Sequence, residues 1–408
     1  MKFLFVLIAI SLSCQASFAK LSDKTVYYYA FDGENLQVSY TDLDSIETIY
    51  WFKKCMANQL YTFFRVGYRE KEQNGTKENN YFNDAKTCII NATSSDNIGP
   101  FAMYPGGWVG GNHHYPNETA QMLYNTAKCD SFRIYIDGKK LTKSSDGIAN
   151  KIFIKVYNTI FDPTFPPIVG NTHLSVPMCN ENVCYIIHQN TIEVDATHHF
   201  LSDVGMEGHE TSISAYYGMQ SMFENEEYFM TPNGQYTDWA SATEISATTF
   251  KKKDFPYFNR YIEKSVTRGT YQAAYMNPVV GLGNHEMVAD EEFIFNRSYG
   301  KCYHRLISAP FLKPLAGITT HWNGSYTFFH RPIADDENIF IYRGFIGNNE
   351  ALFVNTKEAF NGVIPMPRNL RKRKYSVIEA RGLTASFSRH SLSVKSNGAA
   401  SLIIKFEE

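Results

Sequence analysis

"KIFIKVYNTIF" (Lys151 to Phe161) and "NTIEVDATHHF" (Asn190 to Phe200) decide the fold class of this chain. The apolar side chains that alternate with other side chains are Ile152, Ile154 and Val156 in the first stretch and Ile192, Val194 and Ala196 in the second. A period of two places successive side chains on opposite faces of a strand, whereas a surface helix shows a period near 3.6. The two stretches therefore predict strands with one apolar and one mixed face.

Turn signals separate strand-like runs elsewhere in the chain. Asp137-Gly138 lies inside "FRIYIDGKKL", and Asn397-Gly398 lies inside "LSVKSNGAASLII". Both dipeptides tolerate the positive φ angles that a two-residue hairpin turn requires. Each of them predicts a β-hairpin.

Helical signals are few. The stretch from Leu43 to Phe64 has apolar residues at helical spacing after the capping candidates Asp44 and Ser45, but its β-branched and aromatic residues favour strands. We leave this stretch open between the two. For the whole chain we predict an all-β protein, a large antiparallel β-sandwich or super-sandwich with few helices.

The first residues predict a secretory signal peptide over residues 1–19. Lys2 precedes an apolar run from Phe3 to Leu12, which is too short to span a bilayer, and "SFA" at 17–19 fits a cleavage site. Cys14 suggests a lipoprotein as an alternative, but Ser11 stands where a lipobox needs a branched apolar residue. We expect a secreted or extracytoplasmic protein, periplasmic in a Gram-negative host, with no stable membrane span.

The remaining chain is long enough for two units. We divide it at "HRPIADDEN" (His330 to Asn338), with a main β-sandwich domain over residues 20–335 and a smaller C-terminal β region over residues 336–408. The formal net charge is −2, which predicts no nucleic-acid partner. The 27 Tyr and 30 Phe suit both strand packing and surfaces that stack on sugars, and packing accounts for the larger share.

The cysteines and sequons fit an exported chain. Six cysteines follow the signal peptide, an even number that predicts disulfides, and Cys179 and Cys184 flank a segment that one local bridge could close. Five Asn-x-Ser/Thr sequons, at Asn74, Asn91, Asn117, Asn296 and Asn323, would mark glycosylated surface loops in a eukaryotic host.

Histidines in short glycine-rich or acidic stretches are the main chemical signal. They are His113 and His114 in GGNHHY, His198 and His199 in VDATHHF, His209 in GMEGHE and His285 in GLGNHE. Neither a GxSxG elbow nor a complete HExxH motif is present. A divalent metal stays open as a cofactor, with His113, His114 and His209 as candidate ligands, because neighbouring histidines on a loop can share a metal but diverge on a strand.

The alternation around His198 separates the roles of two adjacent histidines. It places His198 on the apolar face, where it is either functional or a satisfied core histidine. His199 then shares a face with Glu193, Asp195 and Thr197, and a histidine near carboxylates suits acid–base chemistry. The alternative for His199 is a structural position on a solvated sheet face, with a surface ion pair and no catalytic role.

The leading functional hypothesis is a secreted polysaccharide-active enzyme, a lyase that cleaves an acidic glycan by β-elimination. The candidate catalytic residues are Asn112, His113, His199, Tyr217 and His285. The candidate substrate-binding residues are Trp108, Tyr115, Gln220, Arg371 and Lys372. This chemistry needs a base, a group that neutralises the carboxylate and an acid for the leaving oxygen, but no cofactor. Two alternatives stay open: a non-catalytic carbohydrate-binding or surface-attachment protein, and an exported hydrolase with a nonstandard or metal-assisted site.

Overall fold

The structure is a computed structural model of this chain. The described residues are 26–42, 46–55, 59–70, 88–92, 97–99, 101–103, 107–110, 114–115, 124–165, 167–204, 206–207, 218–222, 228–230, 236–238, 249–251, 260–265, 269–276, 292–296, 301–305, 311–312, 315–388 and 390–407. Within these ranges there is no α-helix, and one 3-10 turn spans Arg368–Leu370. The predicted all-β class is confirmed.

The strands are numbered in chain order. They are β1 (Tyr27–Phe31), β2 (Leu36–Thr41), β3 (Ile46–Lys54), β4 (Tyr61–Glu70), β5 (Cys88–Ala92), β6 (Ile98–Gly99), β7 (Phe101–Met103), β8 (Gly107–Val109), β9 (His114–Tyr115), β10 (Tyr124–Asn125), β11 (Ala127–Ile136), β12 (Lys139–Lys140), β13 (Ser145–Ala149), β14 (Ile152–Phe161), β15 (Pro177–His188), β16 (Thr191–Phe200), β17 (Met206–Glu207), β18 (Gly218–Met222), β19 (Tyr228–Met230), β20 (Tyr236–Asp238), β21 (Thr249–Lys251), β22 (Arg260–Ser265), β23 (Thr270–Met276), β24 (Glu292–Asn296), β25 (Lys301–Arg305), β26 (Phe311–Leu312), β27 (Thr319–Phe329), β28 (Ala334–Asp335), β29 (Ile339–Ile346), β30 (Asn349–Thr356), β31 (Ala359–Pro365), β32 (Tyr375–Phe387) and β33 (Ser391–Phe406).

Three sheets carry the architecture, and their strands pair in antiparallel fashion. The main sheet has ten strands in the order β12-β11-β14-β15-β16-β27-β23-β22-β19-β20. The N-terminal sheet has six strands in the order β13-β1-β2-β3-β4-β5, and the C-terminal sheet contains β28 to β33. Smaller sheets of two, four and five strands complete the described part of the fold.

The inner face of the main sheet packs against the N-terminal sheet. Phe63 of the N-terminal sheet lies edge-on to Tyr185 and Tyr326 of the main sheet, with ring centroids 5.8 and 5.3 Å apart. The Tyr27 hydroxyl donates to the Ile187 carbonyl oxygen across the same interface. Burial of this large aromatic and aliphatic core is the main stabilising term of the sandwich.

The outer face of the main sheet is covered at one side by the C-terminal sheet. Tyr271 and Phe329 of the main sheet stack in series with Tyr342 and Phe353 of the C-terminal sheet, and successive ring centroids lie 4.6 to 5.1 Å apart. These rings belong to one buried aromatic cluster. The fold therefore has three layers where these rings meet. The C-terminal sheet does not cover the part of the outer face of the main sheet that lies away from this cluster.

The stretch left open between helix and strand forms strands. Residues 46–54 and 61–70 are β3 and β4, which pair in antiparallel fashion from Ile46 opposite Glu70 to Lys54 opposite Tyr61. Nearly every residue of β3 is buried because both faces of this strand are covered. That explains why its apolar residues do not show a simple alternation.

The two predicted hairpin turns have different outcomes. Asp137 and Gly138 have φ angles of 49° and 80° and connect β11 to β12, as predicted. The turn predicted at Asn397-Gly398 is wrong, because β33 runs through it. Asn397 pairs with Ala359 of β31 and the Gly398 carbonyl accepts a hydrogen bond from the Thr356 hydroxyl, so neighbouring strands hold this backbone extended.

The local bridge predicted between Cys179 and Cys184 is wrong. Both residues lie on β15 and are free thiols, as is Cys129. Five residues of extended strand span roughly 16 Å, far more than a disulfide bridges. The loop placement expected for the sequons is also wrong for Asn91, Asn296 and Asn323, which lie in strands.

The signal peptide and the division into domains stay predictions. The signal peptide at residues 1–19 lies outside the described residues. The C-terminal sheet begins at residue 334, but the division into domains at 335 stays a prediction. Among the described residues, no helix is long and apolar enough to cross a membrane.

Gly324 in β27 tests how tightly the main sheet packs. A Cβ at this position would meet the Met219 sulfur and would lie 2.7 Å from the Tyr275 carbonyl oxygen. We expect Gly324→Ala to lower the free energy of unfolding by about 2 kcal/mol, measured by urea denaturation. The matched control is Gly398→Ala, where a Cβ has nothing within 4 Å. Equal stability of the two variants would contradict this packing.

Candidate functional site

The candidate site is the uncovered part of the outer face of the main sheet, which we call the open face. It is formed by β11, β14, β15, β16 and the first half of β27. Its side chains are half-buried or exposed: Ser131, Arg133, Tyr135, Phe153, Lys155, Tyr157, Thr159, Asn180, Asn182, Cys184, Ile186, Glu193, Asp195, Thr197, His199, Thr319, His321 and Asn323. The alternation of the strands puts them there, since their neighbours in sequence face the core.

The pairing register aligns these side chains in rows across the strands. One row runs through Ser131, Tyr157, Asn182, Thr197 and His321. The next row runs through Arg133, Lys155, Cys184, Asp195 and Asn323. Adjacent strands lie about 4.8 Å apart, so successive side chains along a row are separated by about that distance.

Two histidines of the open face, His199 on β16 and His321 on β27, are held by neighbouring side chains. His321 Nε2 lies 2.9 Å from Asp195 Oδ2, and His199 Nδ1 lies 3.0 Å from Thr319 Oγ1. The carboxylate orients the His321 ring, and when Nε2–H donates to it, Nδ1 keeps its lone pair. The His321 ring can therefore accept a proton on its free side.

Aromatic and basic side chains lie at the other end of the rows. The Arg133 guanidinium lies 4.9 Å from the centre of the Tyr157 ring. Tyr135 and Phe153 stack with centroids 4.5 Å apart and an interplanar angle of 7°. Arg133 and Lys155 are exposed and paired opposite each other in the register, so this end carries positive charge.

A buried polar group lies beneath the open face, on the inner side of the sheet. His198 Nε2 lies 2.9 Å from Glu181 Oε2, and the Asn158 amide donates to Glu181 Oε1 at 2.8 Å. All three side chains are buried. The prediction that His198 faces the core and His199 the opposite side is confirmed, and His198 is a core histidine satisfied by a carboxylate.

Cys184 is the thiol in the middle of the open face. Partial burial, with the nearby Asp195 carboxylate adding to it, raises the pKa of Cys184 to about 11. The thiol is therefore protonated at neutral pH and a poor nucleophile.

Of the predicted site residues, His199 is the one that the described part of the structure places on the open face. Asn112, His113, His209, Tyr217 and His285 lie outside the described residues. The backbones of Trp108, His114 and Tyr115 lie in β8 and β9, and nothing is described of their side chains. Their proposed roles stay predictions.

The other predicted binding residues lie elsewhere in the fold. Gln220 lies on β18 and is 2% exposed. Its carbonyl oxygen accepts a hydrogen bond from the hydroxyl of Tyr326, so Gln220 lies against the inner face of the main sheet. Arg371 and Lys372 follow the 3-10 turn of the C-terminal sheet, where Arg371 Nε donates to the Met366 carbonyl oxygen. No group of three or more metal-ligating His, Cys, Asp or Glu side chains occurs among the described residues.

Sequence reasoning did not single out Arg133, Tyr157 or His321. The alternation of the sequence assigned Tyr157 to the mixed face of β14, and it assigned Asp195 to the same face of β16 as His199. Their alignment in rows depends on which strands pair and in what register. A single sequence carries no direct signal for either.

No family model and no curated protein sequence matches this chain. Among solved structures, it is similar to the galactosidase domain of the α-galactosidase–sucrose kinase AgaSK, with a TM-score of 0.36, 9% identity and coverage of 72% of this chain and 42% of that one. A GH36 α-galactosidase, AgaB from Geobacillus stearothermophilus, gives a TM-score of 0.38, 7% identity and coverage of 74% and 41%. The Slr1438 protein from Synechocystis sp. PCC 6803 gives a TM-score of 0.27 and 7% identity, with coverage of 77% of this chain and 100% of that one.

The chain thus spans less than half the length of the two galactosidase chains that it matches. All three TM-scores are low, so the function of this chain has to be argued from its own residues.

Two of the three His–carboxylate pairs on β16 and its neighbours differ strongly in burial, and we expect them to differ in their contribution to stability. The Glu181–His198 side chains are 4% and 1% exposed, whereas those of Asp195 and His321 are 41% and 43% exposed. We expect Glu181→Ala to cost about 3 kcal/mol of unfolding free energy, since it leaves a buried histidine without its carboxylate. Asp195→Ala is the matched control and should cost below about 1 kcal/mol. Urea denaturation of both variants measures the difference, and similar losses would refute it.

Proposed function

We propose that this chain is a secreted carbohydrate-active protein that binds a glycan chain across its open face. The observation that carries the proposal is the uncovered row of hydroxyl, amide, aromatic and imidazole side chains from Ser131 to His321. Sugar hydroxyls are recognised by such donors and acceptors, and the apolar faces of sugar rings pack on aromatic rings. Secretion is supported by the signal-peptide pattern of residues 1–19.

The glycan would run across the strands. A pyranose ring is about as long as the ~4.8 Å spacing between strands, so successive sugars would meet successive strands. Tyr157 would stack on a sugar at one end, and Asn182 and Thr197 would hydrogen-bond sugars in the middle. Asn182 is exposed and Thr197 half-buried, so both side chains are accessible.

Tyr157 tests the binding proposal. We expect Tyr157→Ala to weaken binding to a glycan roughly three- to tenfold, since one ring–sugar contact is lost. The measurement is isothermal titration calorimetry on the ligand that a panel of neutral and acidic polysaccharides selects. Tyr28→Ala is the control, because Tyr28 is half-exposed on the N-terminal sheet. Loss of binding in both variants, or no glycan bound by the wild type, would defeat the proposal.

A second candidate function is β-elimination on an acidic glycan, and it is favoured by the His321–Asp195 pair. His321 Nδ1 would take the proton from the carbon next to the uronate carboxylate. The electron pair would form the new carbon–carbon double bond. The bond to the leaving sugar oxygen would break, and this oxygen would keep the bonding electrons and take a proton from water. Arg133 and Lys155, at the other end of the rows, supply positive charge for the carboxylates of sugars further along an acidic glycan.

Ultraviolet absorbance of the unsaturated product tests the lyase candidate directly. We expect the wild type to release this product from a uronate polymer, and His321→Ala to lower the rate at least about 100-fold, the usual size of a lost general base. His390→Ala, which changes an exposed histidine of the C-terminal sheet, is the control. If the wild type binds acidic glycans but releases no unsaturated product, the lyase candidate fails and the binding function stands.

A further inference from the structure

Three exposed basic side chains lie together where β12, β11 and β14 form the edge of the open face. Arg133 pairs opposite Lys155, and Lys140 pairs opposite Tyr135. Residues that lie opposite each other on paired strands point to the same side of the sheet, so Lys140 belongs to the open face together with Tyr135. Arg133, Lys140 and Lys155 are all exposed, and we call them the basic edge.

Aromatic rings support two of these cations. The Arg133 guanidinium lies 4.9 Å from the centre of the Tyr157 ring, and Lys155 Nζ lies 6.0 Å from the centre of the Phe153 ring. Tyr135 stacks on Phe153 and widens this aromatic floor. A ring beside a long basic side chain limits its rotamers, so less conformational entropy is lost when the cation binds an anion.

The positive charge of the basic edge is not neutralised by the carboxylates around it, because these have other partners. Those partners are Lys128 and Thr159 for Asp130, the backbone N–H groups of Asn150 and Lys151 for Asp137, His188 for Glu193, and His321 for Asp195. Within the described part of the chain, no carboxylate forms an ion pair with Arg133, Lys140 or Lys155. These three charges are therefore available to an anionic ligand.

We propose that the open face binds a polyanionic glycan, whose carboxylate or sulfate groups lie at the basic edge. This inference rests on the proposed glycan-binding function and names the class of glycan. The Arg133 guanidinium can donate two parallel hydrogen bonds to one oxyanion. The Lys155 backbone lies about one strand spacing, ~4.8 Å, away, so its ammonium can contact the same oxyanion.

The charges on the rest of the open face favour a glycan over a nucleic acid as the polyanion. Glu193 and Asp195 lie on β16, two strands from Lys155 on β14, and their carboxylates share the open face. A nucleic acid carries a phosphate at every nucleotide, so the part that crosses β16 would be repelled. A glycan with anionic groups on only some of its sugars can place uncharged sugars over Asn182 and Thr197.

Two pairs of polysaccharides with matched backbones test the proposal by calorimetry at low ionic strength, where exposed charges are least screened. The pairs are polygalacturonate with its methyl ester, and dextran sulfate with dextran. We expect the wild type to bind the charged member of at least one pair roughly tenfold more tightly than the uncharged member, and the pair that responds identifies the anionic group. The double variant Arg133→Gln/Lys155→Gln should lose roughly this tenfold preference, because glutamine is polar but uncharged.

The matched control is Arg368→Gln/Lys374→Gln, which removes one exposed arginine and one exposed lysine of the C-terminal sheet and should leave binding unchanged. Circular dichroism verifies the fold of both double variants. An equal loss in the control would attribute binding to net charge or to the basic residues at 368–374, and would overturn the proposal.

The remaining outcomes separate this inference from the glycan-binding function. If the uncharged members bind as tightly as the charged ones, the anionic class is wrong and the glycan-binding function stands. A wild type that binds no polysaccharide, charged or uncharged, would refute both. A single-stranded oligonucleotide that binds as tightly as the charged polysaccharide, with the same loss in Arg133→Gln/Lys155→Gln, would assign the basic edge to nucleic acid instead.

Discussion

The antiparallel pairing of β16 with β15 and β27 is the constraint on which the other features depend. Its register places His198 opposite Glu181 on the inner side and His199 opposite Asn180 on the outer side. A shift by one residue would turn every side chain of β16 to the other face, which would put two carboxylates into the core and the apolar residues into solvent. The apolar core thus specifies both faces of the sheet at once.

The third layer decides how much of the outer face remains available. The C-terminal sheet covers the side near β23 and the second half of β27 with stacked aromatic rings. It leaves the strip across β11, β14, β15 and β16 to solvent, and this strip carries the aligned polar rows.

Local patterns were reliable where one face of a strand is buried and the other is not. Alternation placed His198 and His199 correctly, and Asp137-Gly138 forms its turn with both residues at positive φ. The same reasoning failed at Asn397-Gly398, where β33 pairs with β31 before this dipeptide and with β30 after it, and this pairing holds the chain extended. It also failed for Cys179 and Cys184, because spacing in sequence does not reveal whether the intervening residues fold back or lie on one extended strand.

By itself, the sequence determined the all-β class, the strands with alternating faces and the separation of adjacent histidines onto opposite sides of β16. Each of these follows from interactions between residues close together in the chain. Only the tertiary structure decided that Tyr157, Asn182, Thr197 and His321 lie in one row. Those neighbours are far apart in sequence, and strand order and register, which are set by burial of the shared core, bring them together.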